Sequence, residues 1–209
     1  MTTTDRFAVA GAVADAVLYE GYVLYPYRAS AVKNQLRFQF GVLTPPWVSH
    51  ADPSERSSMR TECLVDPGAA PRLAVRVRFL HLQHRVGAGA PWDEAVERQV
   101  DLGDIALLPF VEATRDVMFN FVAGEDACDG VVRRREHVEG VVRVRAAWAP
   151  GPAALIKVTV TVENTSPHGL GANRSDAMRW SLVAVHTALA VDDGAFVSLL
   201  DPPEHAVEA

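Results

Sequence analysis

The densest run of ionisable side chains is "RRREHVEGVVRVR", Arg133 to Arg145. Alternate residues of a strand share a face, so Arg133, Arg135 and His137 line one side. Past Gly140, Arg143 and Arg145 can join them. Guanidinium groups gathered in this way form a groove for a phosphate, a carboxylate or an acidic partner, because their planar forks donate two hydrogen bonds at once. Glu136 or Glu139 would then be available as a base. The alternative is a solvated face on which those two glutamates balance the arginines and add little stability.

Other chemistry is sparse. His81 and His84 in "HLQHR" stand three apart. A helix would place both beside one metal ion, whereas a strand points them to opposite faces. The surrounding alternation is that of a strand, so one packed and one solvated imidazole are expected, and no metal site. Neither Cys63 nor Cys128 belongs to a CxxC pair; Cys63 reads as a small core residue and Cys128 as a loop residue. There is no GxSxG elbow and no Walker sequence, and "GAGAPW" lacks the third glycine of a dinucleotide fingerprint. No cofactor is expected, and an enzyme, if the chain is one, would be of an unfamiliar type.

The four tyrosines of the chain, Tyr19, Tyr22, Tyr25 and Tyr27, all fall in "LYEGYVLYPYR". Tyrosine joins a large apolar ring to a polar tip, which suits half-buried surfaces and interfaces. With Arg28, Lys33 and Asn34 beside them, the rings form a candidate patch for a partner protein. They serve equally to fasten the N-terminal segment to the body of the protein.

Positioning these residues falls mostly to strands. Val9, Val13 and Val17 repeat every four residues, which predicts a helix over roughly 8–22 that Pro26 must end. Then "QLRFQFGVL", "MRTECLV" and "RLAVRVRFLHLQHRV" alternate apolar and polar residues as half-buried strands do. The Pro- and Ser-rich "TPPWVSHADPSERSS" reads as a loop. Leu73, Val75, Val77 and Phe79 share one face, but beyond Phe79 the apolar set shifts to Leu80 and Leu82. That shift marks either a β-bulge or burial on both faces.

"VVRVRAAWAPGPAALIKVTVTVEN" predicts a hairpin with Val142, Val144, Ala146 and Trp148 facing the same way as Ile156, Val158, Val160 and Val162. Of its two registers, the one that sets Arg145 opposite Thr159 avoids opposing Arg145 to Lys157. "TALAVDDGAFVSLL" predicts a second hairpin turning at Asp193-Gly194. Residues 176–190 suit a helix or a strand, with the balance towards strand. Together these elements predict a mainly β fold, a β-sandwich or open barrel of antiparallel hairpins with an N-terminal helix. We expect one β-rich domain over 1–209, with 1–27 packed on it as a helical and extended segment.

Composition narrows the partners. The chain has 209 residues, 49% of them apolar and 22% charged, with a formal net charge of -6. That balance argues against general affinity for nucleic acid or an anionic membrane. The apolar N-terminal run is too short for a membrane span and lacks the charge pattern of a secretory signal. A cytoplasmic location is expected.

"LYEGYVLYPYRASAVKNQLRFQFGVL", with weaker echoes at "VTVENTSP" and "FVSLLDPP", resembles an uncharacterised, mainly actinobacterial protein family encoded among the accessory genes of nickel–iron hydrogenases. The resemblance implies a non-catalytic accessory or assembly role, docking a hydrogenase subunit or another accessory factor through the tyrosine segment. It also implies that "DPPEHAVEA" can precede a further portion, as in longer members. The competing expectation is an enzyme or binding module for a small anionic ligand, using Arg133 to Arg145.

Overall fold

The computed structural model describes residues 6, 7, 10, 11, 13–16, 41–87, 89–167 and 174–207. The chain is mainly β and antiparallel, as the alternation predicts. Its organising element is β1 (Ser58–Val86), which runs for 29 residues and includes "DPGAAP", where its register against its neighbour is interrupted. Its first part pairs with β7 (Ile156–Asn164), and from Val65 to Leu80 it pairs with β8 (Val183–Phe196). From Arg72 to Arg85 it also pairs with β2 (Trp92–Ala106), and its last residues pair with β5 (Val131–Arg135). Beyond β7 lie β6 (Val138–Trp148) and then β3 (Thr114–Phe121), while β4 (Gly124–Cys128) flanks β5.

The sheet curls, so that Phe79 of β1 meets Phe119 and Phe121 of β3 with ring centroids 5.7 Å apart in each pair. Between them lie Leu73, Val75 and Val77 of β1, Val142, Val144 and Ala146 of β6, and Ile156, Val158, Val160 and Val162 of β7, all buried. These are the inward sets expected from period-2 alternation, except that Trp148, at the end of β6, is half exposed. Gly140 lies under Phe119. A Cβ there would come within 2.5 Å of the phenyl Cζ, so glycine is what lets that ring sit flat on β6.

The β6–β7 register sets Arg145 opposite Thr159 and Trp148 opposite Ile156. This is the arrangement that keeps Arg145 away from Lys157. The shift past Phe79 has a different origin from a bulge in β1. Its pairing with β2 runs without interruption from Arg76 to Arg85. The extra residue is in β8, where Ala184 takes φ 52° between the Arg78–His186 and Leu80–Val183 pairs. Both faces of β1 are buried there, since Leu80 and Leu82 pack on Met178 and Val183 behind the sheet.

Three local expectations are corrected. "TPPWVSHADPSERSS" contains a short helix, α1 (Pro46–Ala51), with a proline at its start where the fixed φ and missing N–H are harmless. The Asp193-Gly194 pair does not turn a hairpin. Residues 183–196 form one strand; opposite Asp193, at φ 51°, it is β1 that bulges, at Gly68 to Pro71, and the Asp193 carboxylate accepts the Ala70 N–H at 2.5 Å. Residues 176–190 divide between both options. Arg174–Ala177 and Met178–Trp180 are helical and 3-10 turns, and β8 begins at Val183.

Residues 10, 11 and 13–16 are helical, within the span predicted to be a helix. Arg78 pairs with Asp15 at 2.7 Å, and the Arg76 guanidinium lies 4.4 Å from the centroid of the buried Phe7 ring. Among the described residues no helix is long and apolar enough to cross a membrane.

The buried Asn164 ties separate segments together. Its amide donates to the Leu43 and Trp180 carbonyls at 2.8 and 2.9 Å, and its oxygen accepts the Ser166 N–H at 2.8 Å. Phe79 is nevertheless the residue on which packing depends most, because it joins β1 to β3 across the core. Phe79→Ala should lower unfolding stability by about 3–5 kcal/mol in a denaturant titration. A loss under about 1 kcal/mol would mean that the rings do not hold the curled sheet together.

Candidate functional site

The inner face of β1 reads Leu73, Val75, Val77, Phe79, His81, Gln83, Arg85. Residues directly paired across antiparallel strands share a face. Phe79 therefore sits beside Arg98, His81 beside Val96, and Gln83 beside Glu94 on one flank and Arg135 on the other. The apolar core thus gives way, along a single strand face, to polar and cationic side chains. Across from them Asn120 and Phe121 end β3. The space between is a cleft of about 570 Å³ lined by Gln83, Val96, Arg98, Asn120, Phe121, Val122, Asp126 and Arg135.

Arg98 is the distinctive member of this cleft. Its guanidinium lies 4.9 Å from the centroid of Phe121, a cation–π contact. Its Nε is buried without a hydrogen-bond partner, and among the described residues no carboxylate pairs with it. Burial, and then the neighbouring Arg135 charge, hold its pKa below the usual guanidinium value. Arg135 is differently placed. It lies across Gly124, whose missing side chain makes room for the guanidinium, and pairs with Asp126.

Below the cleft, His81 is only 1% exposed. Its Nε2 is buried without a hydrogen-bond partner. Burial, followed by the Arg98 charge, pushes its pKa down to about 4, with Arg135 and His137 acting the same way. The imidazole is neutral at pH 7. His84 faces the other side of β1, as strand geometry requires. Asp93, brought in by β2, binds its Nδ1 at 2.8 Å, and Arg179 binds the same carboxylate at 3.1 Å. Among the described residues no cluster of histidine, cysteine or carboxylate groups is arranged to hold a metal ion.

The predicted basic groove is only partly assembled. Arg133 and Arg135 share the inner face of β5, but Arg133 is engaged by Glu94, which also accepts from Gln83 at 2.5 Å. His137 bonds Glu139 at 3.1 Å. Arg143 and Arg145 lie on β6, which pairs with β3 and β7 and not with β5. Arg143 forms a two-pronged pair with Asp116, both bonds at 2.9 Å. The expectation of one continuous five-residue face fails, because β5 ends at Arg135, before His137, and β6 joins a different part of the sheet.

Tyr19, Tyr22, Tyr25, Tyr27, Arg28, Lys33 and Asn34 lie outside the described residues. Cys63 is half-buried and burial pushes its thiol up to about 11, in keeping with a packing role, while Cys128 is exposed. Sequence reasoning missed Arg98, Gln83, Asn120 and Asp126. The available signal was the run F-x-H-x-Q-x-R, in which an apolar strand face turns polar without changing phase.

Comparison of the chain with protein-family models, with curated proteins and with solved structures finds no match in any of the three.

Burial of His81 has a thermodynamic consequence. Unfolded, the imidazole binds a proton below its ordinary pKa of 6.5; folded, it resists protonation until about pH 4. Between these values the unfolded chain binds more protons, so stability rises with pH. The contribution is fully present above pH 6.5 and is lost progressively on the way down to pH 4, amounting to about 3 kcal/mol. The half-buried His186, lowered chiefly by burial, acts in the same direction. Urea titrations at pH 7 and pH 4.5 should therefore show a marked loss in the native chain and a smaller one in His81→Gln. Equal losses in both would mean that His81 is protonated in the fold.

Proposed function

We propose that the protein acts by binding and that its described site takes a small anion in the cleft between Arg98 and Arg135. The observation that carries this reading is Arg98, a part-buried guanidinium with an unpartnered Nε beside a second guanidinium. A part-buried charge without a counter-ion is costly, and an incoming carboxylate or phosphate at the open end of the Arg98 guanidinium supplies the missing charge. The site narrows the expected Arg133–Arg145 groove to Arg135 and adds Arg98. The lining holds no serine, threonine, cysteine, lysine or histidine, and its one carboxylate, Asp126, is held by Arg135, which favours a binding module over a catalyst. Acetate titrated into labelled protein should move the backbone amides of Arg98, Asn120 and Arg135. Arg98→Gln should weaken binding at least tenfold, since charge-assisted hydrogen bonds are the strong ones. Acetate that leaves those amides unmoved would remove the reading.

A second reading is the accessory role implied by the resemblance, in which the chain docks a partner protein in hydrogenase maturation, in the cytoplasm. One feature favours it within the resembling stretch "FVSLLDPP". The loop carrying Leu199 and Leu200 is tied at both ends. The Val197 N–H donates to the Leu64 carbonyl at 2.9 Å, and Ala206 is buried against Leu155 and Leu64. Between these anchors Leu199 is 90% and Leu200 99% exposed. Two leucines held out by an anchored loop suit docking. Both cysteines are free, which fits a reducing compartment. Tagged protein recovered from its native host should bring a hydrogenase component with it. Leu199→Ser/Leu200→Ser should lose that component without loss of fold, and its retention would count against this surface.

A further inference from the structure

We infer that the ligand of the Arg98 cleft is an organic monocarboxylate with an apolar body, a class that includes medium-chain and aromatic acids. The inference rests on the anion-binding reading and adds what the rest of the anion must be. Three features of the cleft define it.

Charge comes first. The ionised side chains lining the cleft are Arg98, Arg135 and Asp126. Arg135 is already neutralised by Asp126, so one uncompensated positive charge remains, on Arg98. A single carboxylate balances it. A phosphate dianion would leave a surplus negative charge close to the Asp126 carboxylate, where like charges repel. The Asp126–Arg135 pair also shows the geometry a carboxylate adopts on this wall.

The second feature is the remaining wall. Val96 and Phe121 line the cleft, and Val122 stands at it 64% exposed. These apolar surfaces lie close to Arg98, whose guanidinium already rests on the Phe121 ring. A carboxylate on Arg98 therefore projects its carbon skeleton along Val96, Phe121 and Val122. Covering that surface is favourable in proportion to its area.

Size is the third. The cleft holds about 570 Å³, within the range of sites for small organic ligands, ~300–1,000 Å³. A bare inorganic anion or acetate reaches Arg98 but leaves most of this volume to water. Asn120 can hydrogen-bond a polar substituent farther along.

The test is a titration of the full chain with hexanoate, benzoate, acetate, inorganic phosphate and benzyl alcohol, followed by calorimetry and by backbone amide shifts. Hexanoate or benzoate should bind at least tenfold more tightly than acetate and phosphate, with shifts centred on Arg98, Asn120 and Val122. Benzyl alcohol, lacking the charge, should bind at least tenfold more weakly than benzoate. Arg98→Gln should abolish the preference. Because that side chain is part-buried, Val122→Ser on the exposed side provides a second variant that leaves the core untouched. It should weaken hexanoate severalfold and leave acetate unchanged.

Phosphate or acetate binding as tightly as hexanoate and benzoate, and in an Arg98-dependent way, would overturn the apolar body and leave the anion reading intact. Benzyl alcohol equal to benzoate would overturn the recognition of charge. Absence of binding by every anion would overturn both.

Discussion

Strand β1 has to be hydrogen-bonded along both edges, and the rest of the fold answers that demand. At Val65 it lies between Ile156 and Phe196, and from Leu73 to Arg78 between β2 and β8. At Gln83 it lies between Glu94 and Arg135. One strand of this length cannot stay flat, because strand twist accumulates along it. The twist carries its two halves into different parts of the sheet, and the inward residues of both then face one apolar core. A slip of one residue would turn Val75, Val77 and Phe79 outwards together. From Leu73 onwards bulges at Gly103, with φ 69°, and at Ala184 take up mismatches in the neighbouring strands, whereas at Gly68 to Pro71 the extra residues are in β1 itself.

The cleft is the place where that core ends. Up to Phe79 the inner face of β1 is aliphatic or aromatic; from His81 onwards it is not. The change coincides with the end of β3, where Phe121 is the last ring available to cover it. A polar face under a thinning apolar lid needs partners of its own. Asp126 supplies one for Arg135 and Glu94 supplies one for Gln83 and Arg133. Arg98 and the Nε2 of His81 are left over. On β8 the His186 Nε2 and Thr187 Oγ1 are also without partners, so it is the unpaired Arg98 charge at the cleft, rather than an unmet hydrogen bond alone, that motivates the proposed anion site.

Local alternation made most of the strands legible. Val142 to Ala146 and Ile156 to Val162 each showed period 2, and charge repulsion alone selected the register between them. The site was less legible, because its members come from five strands that only tertiary pairing brings together. Arg98 sits in "AVERQV", where it looks like any solvent-facing charge; its cross-strand partner Phe79 is what turns it inwards. The run Arg133 to Arg145 misled in the opposite way. It is continuous in sequence, but the chain departs from one part of the sheet after Arg135 and enters another at Val138. Asp193-Gly194 has the composition of a hairpin turn, yet the long partner strand β1 pairs with residues on both sides of it.

The β4–β5 hairpin bears on how the cleft behaves in time. Among the described residues its backbone pairing to the rest of the sheet runs only from Gln83 to Val86. Both strands are short, with β4 largely exposed and β5 partly buried. Such a unit belongs to the low end of the range of local opening free energies, well below the cost of unfolding the core. Arg135 and Asp126 travel with it, whereas Arg98 belongs to a strand bonded to β1 over most of its length. One wall of the cleft is therefore held along most of a strand and the other by four residue pairs, so that occupancy of the proposed site would be thermodynamically linked to the hairpin's amide exchange.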